Sequence, residues 1–379
     1  VVDAFEFHAD DLCTDGGCRA ASRCKDPAMS YYSVFKDLPL KIESGEFVRH
    51  ELAVSSGFDR VTTEIVLKGD GHEGRGEDVT YDTLDHDVLQ LDAKIDFSFD
   101  GTFDEFSKHL LTLPLWAAPP VREPSVNYRL WGFESAALDL ALRQSGLTFD
   151  EALGIEPQPV RFILSLRLGD PPDIARVNNW LAVAPWLEFK LDAENSWPHE
   201  LLAELGASGK VASVDLKGLY VGTEVDNPPT ERLYKEVVEL FPDAWIEDPA
   251  FIDETRPILE TALDRLTWDA PIHSVADIEG LEFAPEGMNI KPSRFGPLSE
   301  LLAVIEYCEA HDIEMYSGGQ FELSVGRSHL HVIASVFFPG TPNDAAPVHY
   351  HGNDPVENAP SSPLAVPAKE DRAGFSWPL

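Results

Sequence analysis

The sequence predicts an α/β fold, a (β/α)8-type TIM barrel preceded by a separate α+β unit. Three observations carry this prediction. From Val160 onward, short apolar runs alternate with helical patterns, as parallel strands joined by helices require. Asp215, Glu247, Asp269 and Lys291 each close such a run, at intervals of 32, 22 and 22 residues. One strand, one helix and two loops take roughly 25 to 30 residues in a barrel of about 250, so these four side chains end successive strands and converge on one face. Before Val160 the pattern is different, an alternating meander broken by glycines.

Taken in order, residues 1–40 show no periodicity and read as an N-terminal extension. Cys13, Cys18 and Cys24 cluster there near His8, but C-x4-C-x5-C matches no common zinc spacing, and unpaired thiols are the reading adopted. Residues 41–155 form the α+β unit. Val61 to Leu67 alternates, and the glycine-rich run 69–74 leads to Gly76-Glu77-Asp78, giving an antiparallel meander with turns at the glycines. Helical spacing follows at 85–112 and 133–146, with Phe133 to Leu142 amphipathic.

The barrel spans residues 156–347. Strand cores are read at 162–166, 187–191, 211–216, 244–246, 288–290 and 313–316. The fifth strand is either Pro271 to Val275 or Leu266-Thr267-Trp268, and an eighth strand end falls near Asn343-Asp344. Helices are read at 201–205, 233–240, 258–263, 298–307 and 325–338, with Cys308 on a core face. Residues 348–379, rich in Pro, Ser and Asn, form a tail packing on the barrel.

Charge sets the class of partner. There are 66 Asp and Glu against 29 Lys and Arg, a formal net charge of −37 spread along the chain. Such a surface suits a salt-rich, halophilic cytoplasm, where screening over about 3 Å at 1 M salt removes self-repulsion. It excludes nucleic acid and anionic membranes as partners. No apolar run approaches the roughly 18 residues of a membrane span, and no basic signal peptide opens the chain, so a cytoplasmic location is expected.

Three carboxylates on one face repel one another unless a cation lies among them, and an all-oxygen set suits Mg2+ or Mn2+. The ordered set Glu247-Asp248-Pro249, Asp269 with His273 to Asp277, and Asn289-Ile290-Lys291-Pro292-Ser293-Arg294-Phe295-Gly296 resembles the enolase superfamily. Gly76-Glu77, the Glu134 to Leu142 helix and Gly318-Gly319-Gln320-Phe321-Glu322 extend the likeness over residues 41 to about 347. Within the superfamily it is similar to the muconate lactonizing enzyme-like subgroup of the mandelate racemase/muconate lactonizing enzyme family, which also holds o-succinylbenzoate synthases and dipeptide epimerases. The resemblance implies an enolase-like modified barrel with an α+β capping domain. It further implies a Mg2+-dependent isomerase or lyase that abstracts a proton α to a carboxylate through an ene-diolate. A small carboxylate substrate and a homo-oligomer are the expected partners.

Carried over by position, Asp215, Glu247 and Asp269 would ligate the metal, and Lys190 and Lys291 would be the catalytic pair. Lys291 is read as the base and Lys190 as acid or electrostatic stabiliser. Strand alternation would set Lys190 between Glu188 and Asp192. Arg60, in a capping loop with Ser55 and Phe58, together with Lys217, Gln320, Glu322 and Asp344, are candidate substrate contacts. Two departures stand out. Lys217 occupies a place usually held by Asn, two residues after the first ligand, and Ala270 follows the third ligand where Glu is usual. Asp192 is an alternative first ligand, disfavoured because 55 residues then separate it from Glu247. The alternatives in function are a non-catalytic barrel serving as a binding or scaffold protein, an acid-sugar dehydratase, or a glycosidase barrel with no role for Lys291.

Overall fold

The computed structural model of the protein describes residues 30–54, 57–92, 94–223, 225–352 and 354–378. His8, Cys13, Cys18, Cys24 and Ser55 lie outside them. Part of the predicted extension is packed: Phe35 is buried and stacks on Phe149, and the Tyr31 ring meets Phe337.

The N-terminal unit holds β1 (Pro39–Ile42), β2 (Ser44–Ala53), β3 (Asp59–Gly69), β4 (His72–Asp78) and β5 (Phe99–Thr102). With them are α1 (Thr83–Asp92), α2 (Phe103–Leu110), α3 (Ser125–Gln144) and α4 (Phe149–Leu153). β2, β3 and β4 form the antiparallel meander, and β1 pairs with β5. The β3–β4 hairpin turns at Asp70-Gly71, both with positive φ, the two-residue turn that matches strand twist. Gly74 and Gly76 are not turn residues; they lie inside β4. A Cβ at either would fall within 2.3 Å and 2.0 Å of the α3 backbone, so they let α3 lie directly on the strand. α3 is enclosed on nearly every side, which is why its buried face extends all round from Tyr128 to Leu142.

Seven parallel strands follow in ring order: β6 (Leu164–Leu166), β7 (Phe189–Asp192), β8 (Val211–Asp215), β9 (Trp245–Glu247), β10 (Leu266–Trp268), β11 (Gly287–Ile290) and β12 (Glu314–Ser317). The fifth barrel strand is thus Leu266–Trp268, and Pro271 to Ser274 is loop leading into a helix that Val275 opens. Single bridges, Gly318 to Asp344 and Phe162 to Asn343, occupy the eighth position and close the ring. The outer helices are α5 (Ala175–Val183), α6 (His199–Ala207), α7 (Glu231–Leu240), α8 (Arg256–Leu259), α9 (Val275–Glu279), α10 (Pro292–Phe295), α11 (Leu298–Ala310) and α12 (Val325–Phe337). Cys308 is a core thiol on α11, and burial pushes it up to about 12. In the C-terminal segment, Leu364 bridges to Val160, and Phe375 lies against Phe149, Trp131 and His329. No helix among the described residues is long and apolar enough to cross a membrane.

Candidate active site

Register brings the acids together. Asp192 on β7 is level with Asp215 on β8, and Asp215 is level with Glu247 on β9. Asp269 follows β10 directly and Lys291 follows β11. All but Asp192 are buried, and Asp192 is part-buried. Since β7 and β8 are neighbours, Asp192 belongs to the strand before Asp215 and the two do not compete for one place.

Each acid has a specific set of partners. Asp215 accepts the Lys217 backbone N–H at 3.0 Å and meets the Lys217 ammonium and Lys190 Nζ, the latter at 3.2 Å. Glu247 receives Lys190 Nζ at 2.5 Å, Asn289 Nδ2 at 3.2 Å and the Tyr316 hydroxyl at 2.7 Å. Asp269 receives Lys291 Nζ at 2.7 Å, Arg294 Nε at 2.7 Å and the Tyr220 hydroxyl at 3.2 Å. Among the described residues, Asp248 accepts only backbone N–H groups, from Asp269 at 2.9 Å and Ala270 at 3.0 Å.

Electrostatics separate these carboxylates. Against the pull of burial, Lys217 and Lys190 hold Asp215 well below the usual carboxylate range. Arg294 and Lys291 do the same for Asp269. Burial pushes Glu247 up to about 7, with Asp215 and Asp269 adding to it against Lys190. Burial and the charges of Asp269, Asp215 and Glu247 push Asp248 up to about 8. The acids outnumber the cations, and the deficit falls on Glu247 and Asp248.

That deficit is the test of a metal. One oxygen each of Asp215, Glu247 and Asp248 lies within 4.8 Å of the others, all buried. An all-oxygen cluster short of positive charge fits a hard divalent cation such as Mg2+ or Mn2+. Asp269, the third ligand predicted from sequence, lies outside this group, its oxygens answered by Lys291 and Arg294.

The remaining predicted residues divide. Lys190 is not flanked by Glu188 and Asp192. Glu188 pairs with Arg161 at 2.7 Å, and the carboxylates on Lys190 come from Asp215, Glu247 and, at 3.6 Å, Asp344. Lys217 pairs with Asp215 and Asp192. Arg60 is not a substrate contact. It lies in β3, is fully buried, and donates to the carbonyls of Val61, Val79, Thr80, Gln320 and Phe321. Gln320 accepts from the Tyr81 hydroxyl at 2.9 Å, and Glu322 holds the Gln320 backbone N–H and Arg327, so both brace the turn after β12, and neither lines the cavity.

Lys190, Asp192, Lys217, Lys291 and Asp344 line one cavity of about 520 Å³. Phe58, Tyr81 and Arg122 from the N-terminal unit cover it, with Phe321 from the barrel side. Residues not singled out from sequence are Asp248, Tyr220, Arg294 and Tyr316. Arg294 was visible in the Lys291 to Gly296 run, but nothing local signals that its partner is Asp269, 25 residues earlier.

Two family models match the chain. One is described as the Domain of unknown function (DUF8230) N-terminal domain, over residues 33–152, and the other as its C-terminal domain, over residues 156–352. An o-succinylbenzoate synthase of Geobacillus stearothermophilus is 24% identical over 347 residues, 83% of each chain. One of Listeria innocua serovar 6a is 35% identical over 81 residues, 20% of this chain and 22% of that protein. The crystal structure of an enolase-superfamily member from Listeria innocua Clip11262 superposes with a TM-score of 0.64 at 19% identity, covering 90% of this chain and 95% of the other. The chain has the enolase-superfamily fold.

Proposed function

Because the chain belongs to the family that the two DUF8230 models describe and has the enolase-superfamily fold, we propose that it is a divalent-metal-dependent isomerase or lyase. Its reaction removes a proton α to the carboxylate of a small organic acid. The observation that carries this reading is that Lys190, Lys217 and Lys291 line one covered cavity, with Asp215 and Glu247 buried against the first two and negative charge in excess on Glu247 and Asp248.

Asp215 and Glu247 would hold Mg2+ or Mn2+, with Asp248 or Asp269 completing the protein ligands. Bound there, the ion supplies Lewis acidity toward the substrate carboxylate and stabilises charge on its oxygens as the α-proton leaves. Lys291 Nζ, positioned by Asp269, moves that proton. Lys190, enclosed by Asp215, Glu247 and Asp344, is a positioning residue that fixes the first two acids. Phe58, Tyr81 and Phe321 shield the mouth from water, which strengthens every interaction beneath them. Whether the intermediate is reprotonated or loses a β-substituent depends on the shape of this cover.

The test is exchange of α-protons in D2O, followed by NMR with Mg2+ present. The panel of small acids includes o-succinylbenzoate, muconate lactones and dipeptides. Metal-dependent exchange into at least one acid is expected, and exchange into none of them refutes the reading.

A further inference from the structure

Lys190 lines the cavity but offers little of its side chain to it. It is level with Ser213, one layer below the Asp192–Asp215 level, its side chain is 3% exposed, and three carboxylates enclose its ammonium. At the mouth level of β7 stands an acid, Asp192. Lys190 and Lys217 both line the cavity, and of the two it is Lys217, from the next strand, that is the more exposed, 15% against 3%. Lys217 lies just past the end of β8, with its ammonium against Asp215 and 3.6 Å from Asp192. The Tyr220 ring closes its other side, 5.1 Å from Nζ.

The backbone supplies an independent sign. Lys217 has φ of +52°, a left-handed conformation that costs a side chain such as lysine about 1 kcal/mol and that Asn adopts more readily. A lysine kept at a strained position on a cavity wall points to function rather than to folding.

We propose that Lys217, not Lys190, is the second cation that contacts the substrate, facing Lys291 across the cavity. Asp192 and Asp215 aim its ammonium, and it binds the substrate's anionic oxygens as a fixed positive charge. The inference rests on the proposed function and deepens it by naming which residue holds the acid.

The experiment uses the full chain at saturating Mg2+, with malonate as a small chelating dianion and calorimetry as the readout. Mg2+ affinity is measured first without malonate, so that metal and anion binding are separated. Lys217→Asn, which suits the left-handed backbone, should weaken malonate binding at least about tenfold, the cost of losing one charge-assisted hydrogen bond. The exchanged pair Asp192→Lys/Lys217→Asn returns an ammonium to the neighbouring strand end and should recover most of that loss. Unchanged affinity in Lys217→Asn overturns the assignment and leaves the proposed function standing. A double variant no better than the single one also overturns it, because the loss then lies in a disturbed acid cluster. A parent chain that binds no malonate with Mg2+ present overturns this inference and the proposed function together.

Discussion

Buried cations occur in two regions of this molecule and do different things there. In the N-terminal unit, Arg60 is answered by five backbone carbonyls, and Arg129 by Asp78 with the carbonyls of Leu115 and Asp85. At the barrel mouth, Lys190, Lys217, Lys291 and Arg294 meet Asp192, Asp215, Glu247, Asp269 and Asp344, and Asp248 stands beside them on backbone N–H groups alone among the described residues. Burial of charge is common to both regions; a cluster of acids in excess of cations stands at the second. A satisfied charge fixes structure, whereas an unsatisfied cluster displaces pKa values and calls for a ligand.

The comparison breaks most readily at Lys291. Lys291→Ala should reduce α-proton exchange by about 10³-fold, in the range of a lost general acid–base group, while the melting temperature stays near that of the parent. Exchange that survives would move the chemistry elsewhere in the cavity. Arg60→Ala should do the reverse. It leaves the carbonyls of Val79, Gln320 and Phe321 without their Arg60 donor and should cost on the order of 4 kcal/mol in urea unfolding. A loss below about 1 kcal/mol, within the range of ordinary surface substitutions, would show that Arg60 is not structural.

Glu134 sharpens the contrast, because it is a buried acid met by neutral donors, Ser107 Oγ at 2.6 Å and the Leu298 N–H at 3.0 Å. Burial pushes it up to about 7 from an ordinary 4.5. A raised carboxyl pKa favours the fold while the group is protonated. The contribution is therefore fully present below pH 4.5 and lost as pH climbs through about 7. Unfolding free energies across that window should fall in the parent by on the order of 3 kcal/mol relative to Glu134→Gln, which stays neutral. Parallel pH profiles for the two chains would contradict this.

The smallest effect concerns the surface. If the net charge of −37 is an adaptation to salt, KCl up to molar concentration should raise stability, by on the order of 1 kcal/mol for pairs this exposed. Equal melting temperatures in low and molar KCl would refute the adaptation.

Much of the architecture was legible because it is local. Each barrel strand is a short run that ends in a polar residue or is followed at once by one, and the intervals from Asp215 to Lys291 report the βα repeat directly. The fifth strand remained ambiguous because Leu266-Thr267-Trp268 and Pro271 to Val275 carry similar apolar content three residues apart. Gly74 and Gly76 misled for a physical reason: glycine marks a turn or a close helix contact equally well, and only the position of α3 decides. Arg60 misled likewise, since the carbonyls that hold it come from residues 61, 79, 80, 320 and 321. The pairings of Lys190 with Glu247 and of Arg294 with Asp269 span 57 and 25 residues, so no local pattern records them.

The central claim is that the unbalanced carboxylates at the barrel mouth are a metal site. The most direct measurement is a crystal structure of the full chain grown with Mn2+, whose anomalous scattering locates the ion. The account predicts one strong peak bonded to Asp215 and Glu247 at the mouth of the barrel, beside Asp248 and Asp269. A map with no peak there at saturating Mn2+, or with the ion held by Asp192 in place of Asp215, would contradict it.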